Sequence, residues 1–135
     1  MTPAAAWDRL ISQPVAVLAT INEDGSPHLV PFTFASVGER RLVSAVDQKP
    51  KHSRALRRLE NIARDDRVTV LAHHYEDDWS HLWWVRASGH AVVAAEVDEA
   101  AHRSLATRFP PYSDQVLGPW ITITVVDIVG WAARG

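Results

Sequence analysis

Apolar and polar positions divide the chain into short strands separated by turn residues. Residues 15–21 (VAVLATI) form an unbroken apolar run of strand length, as expected where both faces of a strand are covered. Asn22-Glu23-Asp24-Gly25 then makes a tight turn, with Gly25 free to take positive φ. Residues 26–35 (SPHLVPFTFA) resume as a second strand, so the two runs read as a hairpin. Pro27 and Pro31 cannot donate to a ladder, which puts this strand at an edge or at a bulge facing a ligand. Gly38-Glu39-Arg40 turns the chain into a third strand at residues 41–46, and residues 68–73 (VTVLAH) predict a fourth. Residues 82–95 (LWWVRASGHAVVAA) predict a long strand with Gly89 as a bulge or bend. Residues 120–126 (WITITVV) alternate apolar and Thr as a half-buried strand, and residues 128–132 close the chain.

Three short helices interrupt these strands. Thr2 caps the first, with Pro3 at its first position and Trp7, Leu10 and Ile11 as its apolar side, and Pro14 stops it. Asp98 caps the last, which starts at Glu99 and is ended near Phe109 by Pro110 and Pro111. Many short strands with few short helices predict a small antiparallel barrel, one domain over residues 1–135.

The middle helix lies in residues 47–67 (DQKPKHSRALRRLENIARDDR), which hold seven of the fourteen Lys and Arg residues but only four acids. Pro50 suits the first turn of a helix. At 100° per residue, His52, Ala55, Leu56, Leu59, Ile62 and Ala63 share one face, and Lys51, Arg54, Arg57 and Arg58 share the opposite one. Two lysines thus stand beside a helix start, where free N–H groups and the dipole already favour an anion such as phosphate. A solvated basic face is the competing reading.

Composition narrows the function classes. A net charge of −2 argues against a nucleic-acid-binding surface, and the absence of cysteine excludes disulfides and thiolate metal sites. No apolar run approaches the roughly 20 residues of a membrane span, and the N-terminus lacks the features of a signal peptide, so a cytoplasmic protein is expected. The seven histidines show no metal-ligand spacing, so no metal is expected, and G-x-S-x-G, G-x-G-x-x-G and P-loop motifs are all missing; paired catalytic carboxylates stay open, with Asp77-Asp78 read as a solvated turn. Of the six tryptophans, Trp83 and Trp84 point to opposite faces of a strand. Trp79, after an acidic turn at a strand mouth, is the one placed for stacking on a flat ring system.

Taken together, VAVLATINEDGSPHLVPFTF, then DQKPKHSRALRRLENIARDDRVTVL, Asp78-Trp79 and the closing VDIVGWAARG resemble the split β-barrel flavin and deazaflavin reductases, the pyridoxamine-phosphate-oxidase-like group. The likeness covers nearly the whole chain and is nearest to members assigned to coenzyme F420. It implies a mainly β split barrel with short helices, forming a homodimer with a cofactor in each of two interface grooves. Lys49 and Lys51 would meet the cofactor phosphate, with Pro50 setting the turn between them. Ser53 stands where many relatives carry a second basic residue, so Lys49 or Arg57 would substitute. His28 and Thr33 would lie along the ring or its ribityl chain, and Trp79 would border the ring pocket, from the partner subunit.

The activity implied is F420-dependent hydride transfer to a small organic substrate. An FMN enzyme of the same fold and a non-catalytic F420-binding protein are the alternatives. The basic residues Arg54, Arg57 and Arg58 beyond Lys51 favour F420, whose anionic tail they would track, whereas FMN needs only the first turn.

Overall fold

The computed structural model describes residues 1–47, 53–112 and 117–134. The expected hairpin forms. Strand β1 (Ala16–Ile21) pairs antiparallel with β2 (Pro27–Phe32), Ala16 facing Phe32 and Ile21 facing Pro27. Its turn closes through Asn22 N–H to the Ser26 carbonyl at 2.8 Å, with Gly25 at φ +88°. The prolines of β2 lie on an edge strand, whose one partner among the described residues is β1.

The second strand is shorter than the pattern suggests. It stops at Phe32, and Thr33 and Phe34 carry the chain across to β3 (Ala35–Ser36), which pairs with β4 (Arg41–Asp47) instead. Phe34 is wholly buried and stacks on Phe32 with ring centroids 5.2 Å apart, so both rings turn into the core. The remaining strands are β5 (Arg67–His74), β6 (Trp83–Ala94) and β7 (Leu117–Ala132), and the sheet order is β2-β1-β5-β6-β7-β4-β3.

That order closes the sheet. Its two edge strands, β2 and β3, are joined by Thr33 and Phe34 alone. Three Cα–Cα steps reach at most about 11 Å. A flat sheet of these strands would hold its edges roughly 29 Å apart. The sheet therefore curls into a barrel, split where β2 and β3 stand side by side.

Within the barrel β6 and β7 form the longest ribbon. Ser88 pairs with Asp127 and Gly89 with Val125, leaving Val126 as an extra residue on β7. The two closing strands predicted separately are thus one strand bent at a bulge. Gly89 is required there, because a Cβ would run into the Thr124 carbonyl. Leu10 of helix α1 (Pro3–Ile11), Leu18, Phe34, Leu42, Val70, Val85, Ile121 and Ile123 fill the interior. A smaller cluster of Ala35, Val37, Val43 and Trp120 is covered by Ala101 and Leu105 of α3 (Glu99–Arg108). The predicted caps form, Thr2 Oγ1 accepting from Ala5 N–H and an Asp98 carboxylate oxygen from Ala101 N–H.

Helix α2 (Ser53–Arg64) sits on β1 and β6 in a rotation the apolar pattern does not give. Leu59 and Ile62 are buried as expected, but Ala63 is exposed, Asn61 is 1% exposed and Arg58 is half-buried. Asn61 decides this. Its Nδ2 donates to Thr20 Oγ1 and to Asn22 Oδ1, each at 3.0 Å, and its Oδ1 accepts from Arg64 Nη2 at 3.0 Å. Arg64 also donates to the Ile21 carbonyl at 2.6 Å. A buried amide with all these partners is worth more to the fold than covering Ala63.

The outer barrel face differs from the sequence reading in one respect. β1 is not covered on both sides, for Ala16, Leu18 and Thr20 point inward while Val17, Ala19 and Ile21 are half-exposed. The outer row continues through Leu29, Leu71, Val129 and Trp131, all exposed, with Trp84 half-buried beneath the guanidinium of Arg86. Beside the bulge this face opens into a cavity of about 430 Å³ lined by Ala19, Thr69, Ser88, His90 and Val126. Among the described residues no helix is long and apolar enough to cross a membrane.

Candidate functional site

The crossing from β2 to β3 is also where polar groups gather. Thr33 lies in that crossing, just past the strand to which the sequence assigns it. Its carbonyl accepts from Ser44 Oγ of β4 at 2.7 Å, and its Oγ1 lies 3.0 Å from the Tyr112 hydroxyl. Tyr112 is held in the turn Pro110–Tyr112, where its ring meets the edge of Phe109 at the end of α3. The two prolines stiffen that turn. Arg108, on the last turn of α3, donates to the Ile11 and Gln13 carbonyls and lies over Phe34, tying the helix to the crossing.

Arg58 lies half-buried on α2 and feels the charge of Tyr112. Its Nε is buried with no hydrogen-bond partner among the described residues. Burial pushes its pKa below the ordinary value, and Tyr112 acts against that shift. An arginine side chain does not give up its proton at neutral pH, so the group remains a cation, its Nε without an acceptor among the described residues. His28 shows a similar deficit. It sits half-buried on β2 opposite Thr20, and its Nδ1 is buried without a partner among the described residues.

Thr33 is thus joined to Tyr112, which in turn influences Arg58, while His28 lies along the strand leading to them. Ser53 is the first described residue of α2, and Arg57, one position before Arg58, is exposed. Lys49, Pro50 and Lys51 lie outside the described residues. Tyr112, Ser44 and Arg58 are what the sequence reading missed or misplaced. The first had a signal in Pro110-Pro111, which holds the next residue stiffly. Arg58 had none, since its inward turn depends on Asn61.

Trp79 is not brought to this cluster. It opens the turn Trp79–His81 and is 76% exposed. Trp83 and Ala132 pair at its end of the β6–β7 ribbon, whereas Ala94, Trp120 and Ala45 pair at the end where α2 begins. Twelve extended residues separate those ends by roughly 36 Å. The turn itself is firmly built. Asp78 Oδ1 accepts from Ser80 N–H and Oγ, and Glu76 Oε1 lies 2.7 Å from His74 Nε2 and 3.0 Å from His81 Nδ1. Those contacts, the His74 bond first, hold the Glu76 carboxyl below its ordinary pKa. Among the described residues no group of three or more His, Asp or Glu is arranged to hold a metal ion.

Residues 3–129 match the family described as pyridoxamine 5'-phosphate oxidase. The chain belongs to that family. A search of curated proteins found no match. Among solved structures, a conserved hypothetical protein, Rv2991, from Mycobacterium tuberculosis is 26% identical with a TM-score of 0.76, over 99% of this chain and 86% of that one. A protein from Mycobacterium smegmatis described as FAD-binding is 18% identical with a TM-score of 0.64, over 97% and 96% of the two chains. One from Mesorhizobium loti, also described as FAD-binding, is 16% identical with a TM-score of 0.69, over 96% and 92%. At those two identities the likeness is one of fold. The family's split barrel is the architecture that closes here through Thr33 and Phe34.

Proposed function

We propose that this chain binds a phosphate-bearing deazaflavin or flavin cofactor and places it for hydride exchange with a small organic substrate. The observation that carries the reading is the Thr33–Tyr112 hydroxyl pair together with Arg58, which Tyr112 influences and whose Nε is one of four buried side-chain atoms without a partner among the described residues, His28 Nδ1 on β2 being another, in a chain of this family. Groups withdrawn from water and left unpaired cost free energy until a ligand supplies the partner. A flavin-type cofactor fits them, because it offers an anionic phosphate, ribityl hydroxyls and a flat apolar ring.

Coenzyme F420 is the preferred cofactor. Its support is the DQKPK motif at residues 47–51 and the exposed Arg57 beyond it, suited to a long anionic tail. Lys49 and Lys51 are proposed to meet the phosphate beside Pro50 and Ser53 at the start of α2. FMN is the second reading, favoured by two fold neighbours described as FAD-binding. Either cofactor carries the hydride chemistry itself. The chain's own residues bind, orient and exclude water.

The working form is proposed to be a homodimer. Leu29, Leu71, Val129 and Trp131 are exposed on the outer face of the barrel, and contiguous apolar faces mark interfaces. In such a pair Trp79, far from the start of its own α2, is proposed to border the ring held by the partner subunit. Fluorescence titration of the purified protein with F420, and with FMN in parallel, tests the reading. Saturable binding of either supports it, and binding of neither contradicts it. Turnover of the bound cofactor then separates an oxidoreductase from a protein that stores or delivers it.

A further inference from the structure

A cavity of about 490 Å³ lies between α3 and the short edge strand β3, and none of His28, Thr33, Arg58 or Tyr112 lines it. One wall is α3, where residues 100, 103, 104, 107 and 108 recur at helical spacing, and the other is Ala35 and Ser36. Ala101 and Leu105 of the same helix are buried in the cluster around Trp120 instead. α3 thus seals the sheet with its apolar side and leaves a polar side on the cavity.

Two arginines and three hydroxyls line that space. Arg108 donates to the neutral carbonyls of Ile11 and Gln13 and lies against the Phe34 and Phe109 rings. Among the described residues no carboxylate comes within ion-pair distance of it. It is half-buried, and burial pushes its pKa below the ordinary arginine value. The guanidinium stays protonated at neutral pH, so its charge is left without a counter-ion among those residues. Arg103 donates to Glu99 at 2.9 Å, but both groups are largely exposed, and such a pair gives way readily to a better-placed acceptor. The hydroxyls of Ser36, Ser104 and Thr107 have no hydrogen-bond partner among the described residues.

This donor set recognises oxyanions. A guanidinium pairs both oxygens of one carboxylate at once, and hydroxyls donate to the lone pairs that remain. Arg103 and Arg108 stand five residues apart, about 7.5 Å along the helix axis. That spacing suits two carboxylates joined by a short carbon chain, and the cavity has room for such a molecule rather than for a lone ion. We propose that the cavity between α3 and β3 is a second ligand site, for a small dicarboxylate held by Arg103 and Arg108 with the Ser36, Ser104 and Thr107 hydroxyls. The site does not depend on the cofactor reading.

Calorimetric titration of the full chain without cofactor, at fixed ionic strength, with succinate and glutarate as probes, tests it. Saturable binding of at least one of them is expected, together with a raised thermal midpoint. Butyrate, with a single carboxylate, should bind at least about tenfold more weakly, and neutral succinamide should not bind. Arg103→Gln should weaken the dicarboxylate about tenfold. Thr107→Leu places an apolar side chain at an exposed position of the cavity wall and should abolish binding. Arg108→Gln should abolish it too, but it also frees α3 from the Ile11 and Gln13 carbonyls, so the other two variants decide the matter if this one does not fold. Absence of binding by either dicarboxylate up to about 10 mM overturns the proposal. Binding that survives unchanged in both Arg103→Gln and Thr107→Leu also overturns it, because the ligand then sits elsewhere. Inorganic sulfate binding as tightly as succinate overturns it as well, since only a general attraction for anions would remain.

Discussion

The side-chain oxygens of Thr33 and Tyr112 lie 3.0 Å apart although 79 residues separate them in sequence. The contact ties the crossing that closes the barrel to the turn that ends α3. Loss of one neutral hydrogen bond between half-buried groups costs roughly 0.5–1.5 kcal/mol. Tyr112→Phe should therefore lower unfolding free energy by about 1 kcal/mol in a urea titration and also weaken cofactor binding severalfold. A variant with wild-type stability and wild-type affinity would count against a role for this pair.

Asn61 joins α2 to the β1–β2 hairpin through Thr20 and Asn22. Asn61→Leu keeps the branched outline of the side chain but strands the buried Thr20 hydroxyl and releases Arg64. Each unsatisfied buried group costs about 1–3 kcal/mol, so a loss of about 2–4 kcal/mol is expected. Asn61→Ala should lose at least as much, and a midpoint unchanged in denaturant would show that the clamp does not set the rotation of α2.

Trp79 and Trp83 should respond in opposite ways. Trp83 is 8% exposed and packs in the barrel, beneath the Arg9 guanidinium, so Trp83→Ala should cost about 3–5 kcal/mol. Trp79 is exposed in the single chain, and Trp79→Ala should leave the chain's intrinsic folding within about 0.5 kcal/mol of wild type. Its effect should appear in cofactor affinity, and only where two chains associate. Equal folding losses for both would contradict the placement of Trp79.

Asp65 gives a pH signature. The side-chain hydrogen bond from Arg67, and then the Arg67 backbone N–H, hold its carboxyl at a pKa of about 2, below the ordinary 3.8. The folded value is lower than the unfolded one, so the contribution is fully present above about pH 4. It fades as pH falls towards 2. The urea midpoint of the wild type should drop across that window more than that of Asp65→Asn, and an NMR titration should show the Asp65 carboxyl ionising near 2. Ionisation at or above 3.8 would show that the Arg67 contacts do not persist in solution.

Local signals explain what could be read in advance. Thr2 and Asp98 advertise caps, Asn22 to Gly25 a turn, Pro27 and Pro31 an edge, and Gly89 a bend. Each of these is settled within a few residues. The misplacements share a long-range cause. Nothing between Phe32 and Ala35 breaks the strand pattern, so the jump to the other sheet edge is invisible until the β3–β4 pairing is known. Residues 117–132 make one strand because Val126 is absorbed as a bulge against Ser88 and Gly89, a partner choice made across the sheet. Arg58 turns inward because Asn61 finds Thr20 and Asn22, which lie 41 and 39 residues away. Of the proposed site, His28 lies on the strand the sequence gives it, whereas Thr33 falls in the crossing just past that strand. Tyr112 enters it only through the tertiary fold, and the lysines of the DQKPK motif lie outside the described residues.

Native mass spectrometry of the protein with F420, and with FMN in parallel, is the measurement closest to the central claim, because it reads subunits and cofactors together. A species of two chains carrying two cofactors is expected, with loss of the cofactors in Arg58→Gln and the pair of chains intact. Single chains without cofactor, at ligand concentrations well above micromolar, would contradict it.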